Sequence, residues 1–150
     1  MSDATSLRAD IERLCVKRNA TLGNMPRRDL QLTLCLAALA IPSATSLSEP
    51  QVNDALQQWL AGTGSMLRID HVELRRHLID AGLWQRDGFG RQYERATSIA
   101  NEELAAMLRS LVDMDVAFIA ETARRQHAQA RDVRKSRTAA QSANASQGKD

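Results

Sequence analysis

The chain has 150 residues, of which 43% are apolar but only 3% aromatic, a composition that favours a mainly helical domain with an aliphatic core. The net charge of +2 is too small to indicate a partner class, and no run of about 18 apolar residues is present, which argues against a membrane-spanning helix. No apolar segment follows the first residues, so no signal peptide is expected and the predicted location is the cytoplasm.

Two helices are predicted before Pro42, which ends the second of them. The first spans about 6–19, with Ser6 as a candidate N-cap and an apolar stripe along one face. The second spans about 27–40 and is apolar almost all round, which is typical of a central, buried helix.

The two cysteines, Cys15 and Cys35, fall on these apolar helical stretches. Their separation and the absence of a neighbouring Cys or His do not fit a metal site. Buried thiols are the expected role, with a disulfide or a reactive thiol as the alternatives.

Two shorter helices are predicted next. Ser48 begins the third as an N-cap, and Gln51 completes a capping box with it. The fourth spans Asp70 to Ala81, with Asp70 as its cap and Gly82 directly after its end.

A β-hairpin is predicted after the fourth helix, because residues 83–86 and 91–95 flank the turn sequence Asp87-Gly88-Phe89-Gly90. The order helix, turn, helix, hairpin is that of a winged helix, a helix-turn-helix followed by a wing. The sequence therefore predicts a mainly α fold with a winged-helix-like core at about 47–95 and a short β-hairpin wing.

The last element is predicted to be one long helix from about residue 97 to about 134, apolar over more than one face. From 136 onward the residues are mostly Ala, Ser, Gln and Asn, which indicates a disordered basic and polar tail over 136–150. The prediction is one helical domain over 1–135 followed by this tail.

The apolar face of the long helix is a candidate for self-association into a homodimer. The alternative is that this face packs across the protein's own first two helices. The residues concerned are Met107, Leu111, Met114 and Phe118.

The stretch from about Leu47 to Tyr93 carries a series of spaced motifs. They are Ser48-Glu49, Val52-Asn53, Leu56, Asp70, Leu74-Arg75-Arg76, Leu78-Ile79-Asp80-Ala81-Gly82-Leu83, Arg86, Gly88 or Gly90, and Tyr93. In this pattern the chain resembles the bacterial DUF2087 family, a domain of unknown function. The resemblance implies a winged-helix-like domain, which in relatives is often attached to ArsR-type helix-turn-helix regulators, and it implies no particular activity. Leu47 departs from the pattern, which usually has an aromatic residue at this position.

Charge is distributed unevenly. Between Glu49 and Glu121 there are seven basic and twelve acidic residues, whereas between Arg124 and Arg137 there are six basic residues and one acid. An acidic core can bind DNA only if its arginines are concentrated on one side. The candidates for DNA contact are Arg75 and Arg76 on the recognition helix, Arg86, Arg91 and Arg95 on the wing, and Arg131, Arg134 and Lys135 near the end of the long helix.

Each candidate also has a structural interpretation. Arg75 and Arg76 could form ion pairs with Asp70, Glu73 or Asp80, and the hairpin could be an ordinary solvated one. Basic residues near a helix C-terminus are favourable to the helix dipole without binding anything.

No catalytic motif, phosphate-binding loop, cofactor motif or metal-ligand spacing is recognisable, and the three histidines are scattered, so the chain is not expected to be an enzyme and no cofactor is predicted. Two functions stay open. One is a DNA-binding or transcription-associated regulatory protein. The other is a non-enzymatic protein-interaction module or self-associating adaptor that acts through the long C-terminal helix. Arginines that share one surface would favour the first, and arginines tied up in internal pairs would favour the second.

Overall fold

The computed structural model describes residues 4–89 and 91–147, which form a mainly helical fold with a small antiparallel sheet. The helices and strands occur in the following order: α1 (Ala4–Cys15), a single 3-10 turn (Leu22–Asn24), α2 (Arg27–Ala38), β1 (Leu47–Ser48), α3 (Glu49–Ala61), α4 (His71–Asp80), β2 (Trp84–Arg86), β3 (Gln92–Arg95), α5 (Glu102–Val112) and α6 (Val116–Gln147). The mainly α prediction is therefore confirmed, as is the long C-terminal helix.

The sheet has three strands in the order β1-β3-β2. β2 and β3 form the predicted antiparallel hairpin, with Trp84 opposite Arg95. β1 pairs antiparallel with the other edge of β3, with Leu47 opposite Tyr93. The sequence did not predict β1, because a two-residue strand is too short to show an alternating pattern and its pairing partner is distant in the chain.

The predicted ends of α3 and α4 are confirmed. The Ser48 backbone N–H donates to Gln51 Oε1 over 2.9 Å, and the Gln51 N–H donates to Ser48 Oγ over 3.4 Å, which completes the capping box. Asp70 Oδ1 accepts from the N–H of Glu73 at 2.8 Å, as an N-cap should. Gly82 follows α4 with a φ of 76°, a left-handed conformation that glycine adopts without strain.

The core lies between the helices and the inner side of the sheet. α2 is the central helix, with eight buried residues, while α1 contributes Leu7, Ile11 and Leu14 from one face. The buried indole of Trp84 donates from Nε1 to the carbonyl oxygen of Ala38 at 3.0 Å, which attaches the sheet to the end of α2. Ser6 was predicted to be the N-cap of α1. The helix begins at Ala4, however, so Ser6 lies inside it.

The long C-terminal helix is present, but its predicted beginning near residue 97 is wrong, because a separate helix precedes it. α5 begins at Glu102 and ends at Val112, and α6 begins at Val116. Asp115 Oδ1 accepts from the N–H of Phe118 at 3.2 Å and so caps the second helix. Aspartate side chains compete for backbone hydrogen bonds and favour helix ends, which explains the break.

α6 continues as a helix to Gln147, beyond the point at which the disordered tail was predicted to begin. Residues 136–147 include four alanines and contain no glycine or proline, so no helix-breaking residue ends α6 there even though the composition is polar. The last part of the predicted tail, residues 148–150, lies outside the described residues.

α6 packs against α1, and α5 packs against α2. Arg124 holds α6 in place: its Nε donates to the carbonyl oxygen of Cys15 at 2.9 Å, and its two Nη atoms donate to those of Gly62 and Thr63 at 2.9 and 2.7 Å. One side chain therefore joins α6 to the end of α1 and to the turn after α3.

Candidate nucleic-acid interface

Arg75 is a structural residue. Its Nη1 lies 2.5 Å from Asn53 Oδ1 and 3.3 Å from Glu49 Oε1, and the side chain is only 17% exposed. The guanidinium carbon also lies 5.5 Å from the centre of the Tyr93 ring, within the range of a cation–π interaction. Arg75 therefore joins α4 to α3 and to the sheet. Its polar partners lie on α3 and are not the acidic residues that lie close to it in the sequence.

Arg95 also has an internal role. Its Nε donates to the carbonyl oxygen of Ile41 at 2.7 Å, and partial burial lowers the pKa of this guanidinium. The bond connects β3 to the segment after α2. The Nε of Arg95 is thus engaged by a backbone carbonyl of the protein itself.

Arg76 and Arg86 are exposed and line one groove of about 190 Å³ between α4 and the hairpin. Within residues 4–89 and 91–147, neither guanidinium has a hydrogen bond or an ion pair. The i, i+4 pair of Arg76 with Asp80 does not form, although Asp80 lines the same groove. We call the groove that Arg76 and Arg86 line the α4–hairpin groove. Its other lining residues are Val72, Arg75, Ile79 and Tyr93.

The tip of the hairpin presents an aromatic ring and a positive charge together. Asp87 Oδ1 accepts from the backbone N–H groups of Phe89 and Arg91, at 3.2 and 2.8 Å, which organises the turn. Phe89 is 86% exposed, and the guanidinium carbon of Arg91 lies 5.9 Å from the centre of its ring. The ring and the guanidinium are therefore both open to solvent at the end of the hairpin.

The basic residues of α6 lie elsewhere. Arg134 and Lys135 are exposed and Arg131 is partly buried, and together with His127 they line an open depression along α6. None of them lines the α4–hairpin groove. The structure therefore places the eight candidate contacts in three settings: two internal, three on α4 and the hairpin, and three on α6.

The residues proposed for self-association are mostly internal. Leu111 is fully buried, Met107 is 8% exposed, and Met114 packs against the same core. Phe118 differs, because it is 57% exposed on the first turn of α6. Leu111, Met107 and Met114 therefore pack against the protein's own helices, which was the alternative to self-association.

The two cysteines are free and buried, as expected for structural thiols. Burial raises the pKa of Cys35 to about 12; burial also raises the pKa of Cys15, although the Arg124 charge partly opposes this effect.

In the part of the chain that the structure describes, no group of three or more His, Cys, Asp or Glu side chains could bind a metal ion. The described helices also include none whose length and hydropathy would allow it to cross a bilayer.

Comparison with known protein families identifies a match. The sequence model of a family described as "Uncharacterized protein conserved in bacteria (DUF2087)" matches residues 21–95, from the segment before α2 to the end of β3. No curated protein and no solved structure matches the chain. The matched segment contains the whole α4–hairpin groove and excludes α1, α5 and α6.

Proposed function

Because the chain belongs to the DUF2087 family of bacterial proteins, and because that family's segment carries the α4–hairpin groove, we propose that it is a DNA-binding protein of regulatory type that acts in the cytoplasm. Its contact surface consists of α4 and the β2–β3 hairpin. The observation that carries the proposal is that Arg76 and Arg86 line one groove with no ion-pair partner among the described residues.

The order of elements supports this proposal. α2, β1, α3, α4 and the β2–β3 hairpin follow one another as in a winged helix, with α4 in the place of the recognition helix and the hairpin as the wing. Arg75 and Arg95 hold this frame from inside, which leaves Arg76, Arg86 and Arg91 on its outer side.

The hairpin tip supplies a second kind of contact. An arginine beside an exposed aromatic ring can contact a phosphate while the ring packs against sugar or base. Phe89 and Arg91 have this arrangement at the end of the wing. Affinity would rest on few charges, because the segment from Glu49 to Glu121 carries a net charge of −5. Weak binding is therefore expected, with a salt dependence proportional to the few phosphate contacts that are made.

Fluorescence anisotropy with a random duplex DNA at two salt concentrations tests the proposal. The full chain should bind at low salt, and combined Arg76→Gln and Arg86→Gln changes should remove about two phosphate contacts and flatten the salt dependence accordingly. The matched control combines Arg68→Gln with Arg109→Gln, because both are exposed arginines outside the groove and the change in net charge is the same. Equal losses in both variants, or no binding by the full chain, would refute the proposal.

A second candidate function is an interaction module, favoured by two exposed apolar side chains beside the α5–α6 turn. Val112 is 51% exposed and Phe118 is 57% exposed. Contiguous exposed apolar patches mark many protein contacts, and these two side chains lie on either side of that turn. Sedimentation of the full chain and of a Phe118→Ser variant tests this candidate, which predicts a dimer that the substitution dissociates.

A further inference from the structure

A second cleft, of about 350 Å³, lies between the end of α1, the turn after α3 and the middle of α6. We call it the α1–α6 cleft. Its lining includes the basic or titratable side chains Lys17, Arg18, Arg124, His127 and Arg131, together with the hydroxyl of Ser65. No carboxylate is among the described residues that line it. The cleft is therefore strongly cationic in a chain whose overall charge is nearly balanced.

Two of these cations have a structural task. Lys17 forms an ion pair with Asp29 at 3.3 Å, and Asp29 is almost completely buried. Arg124 donates to backbone carbonyl oxygens at the end of α1 and in the turn after α3. Those carbonyls are neutral, so they do not cancel the charge of Arg124.

The other two arginines have no such task. Arg18 and Arg131 form no ion pair and donate to no carbonyl among residues 4–89 and 91–147. Nε of Arg131 is buried and lacks a hydrogen-bond partner there. Buried donors without partners are rare in native proteins, and each calls for an explanation. A favourable interaction with the α1 dipole accounts for the position of Arg124, which donates to a terminal carbonyl oxygen of that helix. It does not account for the position of Arg131.

We propose that the α1–α6 cleft binds a phosphate group, with Arg18 and Arg131 as charged donors, Arg124 as a fixed positive charge and Ser65 as a neutral donor. Guanidinium groups bind phosphate oxygens by charge-assisted, often bidentate hydrogen bonds. A phosphate would accept from the terminal Nη groups of Arg131, because its buried Nε is closed to solvent. The site is separate from the α4–hairpin groove and goes beyond the proposed function, since the cleft and the groove share no lining residue.

The surroundings of the cleft extend the basic surface. His127 and Arg131 line both the cleft and the depression along α6 that contains Arg134 and Lys135. A phosphate in the cleft could therefore belong to a free phosphorylated compound or to a nucleic-acid backbone that continues along α6. The chemistry is the same in both cases, and the two sources can be separated experimentally.

Titration of the full chain with inorganic pyrophosphate, at constant ionic strength and followed by amide NMR, tests the site. Shifts are expected at Ser65 and Met66 and around Arg131. Arg131→Gln and Arg18→Gln should each weaken binding about tenfold, as expected for the loss of one charge-assisted hydrogen bond. Arg125→Gln is the matched control, because Arg125 lies on the same helix, is exposed and does not line the cleft.

The same variants are then tested with duplex DNA by fluorescence anisotropy. Weakened pyrophosphate binding with unchanged DNA binding identifies a free phosphate compound as the source, and weakened DNA binding identifies a backbone phosphate. Either result supports the site. The proposal is overturned if neither probe distinguishes the two cleft variants from Arg125→Gln. Arg18 is exposed, so its variant keeps the test valid if Arg131→Gln impairs folding.

Discussion

The guanidinium of Arg75 and the carboxylate of Glu49 form an ion pair, with 3.3 Å between Nη1 and Oε1, that joins α4 to the first turn of α3. The neighbouring residue, Arg76, points to solvent and has no such partner among the described residues. Adjacent residues on a helix are separated by about 100° around its axis, so two arginines in sequence can have opposite roles.

Replacing these two arginines should therefore change the stability to different extents. Arg75→Gln should lower the free energy of unfolding by about 1–2 kcal/mol, because a partly buried, charge-assisted hydrogen bond is lost and Asn53 loses its donor. Arg76→Gln should change it by less than about 0.5 kcal/mol, as for most exposed residues. Urea unfolding followed by tryptophan fluorescence measures both values, and similar losses in the two variants would contradict the structural role of Arg75.

Gly64 should not tolerate a methyl group. A Cβ at this position would lie 2.3 Å from Cζ3 of Trp59, and the Gly64 N–H also bonds to the carbonyl oxygen of Trp59 at 2.8 Å. Gly64→Ala should therefore destabilise the protein by about 1–3 kcal/mol through overpacking. Gly23→Ala is the control, because a Cβ there meets nothing within 4 Å. Thermal unfolding compares the two, and a neutral Gly64→Ala would show that the Trp59 ring can move aside.

Local signals in the sequence identified most of the fold. The Ser48–Gln51 capping box, the Asp70 cap and Gly82 are short-range patterns, and all three appear where they were predicted. The α5–α6 break was missed because a stripe of apolar residues continues through it, and only Asp113 and Asp115 mark the interruption. β1 was missed because its only evidence is a pairing with Tyr93, which local sequence does not encode.

The candidate site was less predictable. The sequence listed the arginines, but whether each one faces solvent depends on long-range contacts such as that of Arg95 with the carbonyl of Ile41. The α1–α6 cleft did leave a signal, because Arg124, His127 and Arg131 follow the spacing i, i+3, i+7 of one helix face. What the sequence could not show is that this face packs beside the end of α1.

Arg124 should be the residue on which docking of α6 depends most. Arg124→Met should lower the free energy of unfolding by about 2–3 kcal/mol, since three backbone carbonyl oxygens lose a charged donor. Arg125→Met on the same helix removes only an exposed pair with Glu121 and should cost less than about 1 kcal/mol. Denaturant unfolding measures both, and hydrogen exchange in α6 should accelerate only in the first variant. Equal stability of the two variants would show that apolar contacts alone dock α6.

Stability should decrease in alkaline solution because of Cys35. Burial raises its pKa from 9.0 to about 12, so between these values the folded protein keeps the thiol proton while the unfolded chain loses it. The unfolded state is then favoured as pH rises, by up to about 1.4 kcal/mol for each pH unit above the unfolded pKa. The contribution is fully present below about pH 9 and is lost progressively toward pH 12.

Comparison with Cys35→Ala isolates this effect, because all other titrating groups are common to both proteins. Between about pH 8.5 and 10.5 the free energy of unfolding of the parent chain should fall by about 1–2 kcal/mol more than that of the variant. Urea unfolding at several pH values gives the two slopes. Parallel slopes would mean that the Cys35 thiol, which lies 3.7 Å from the carbonyl oxygen of Leu104, ionises in the folded protein as readily as in the unfolded chain.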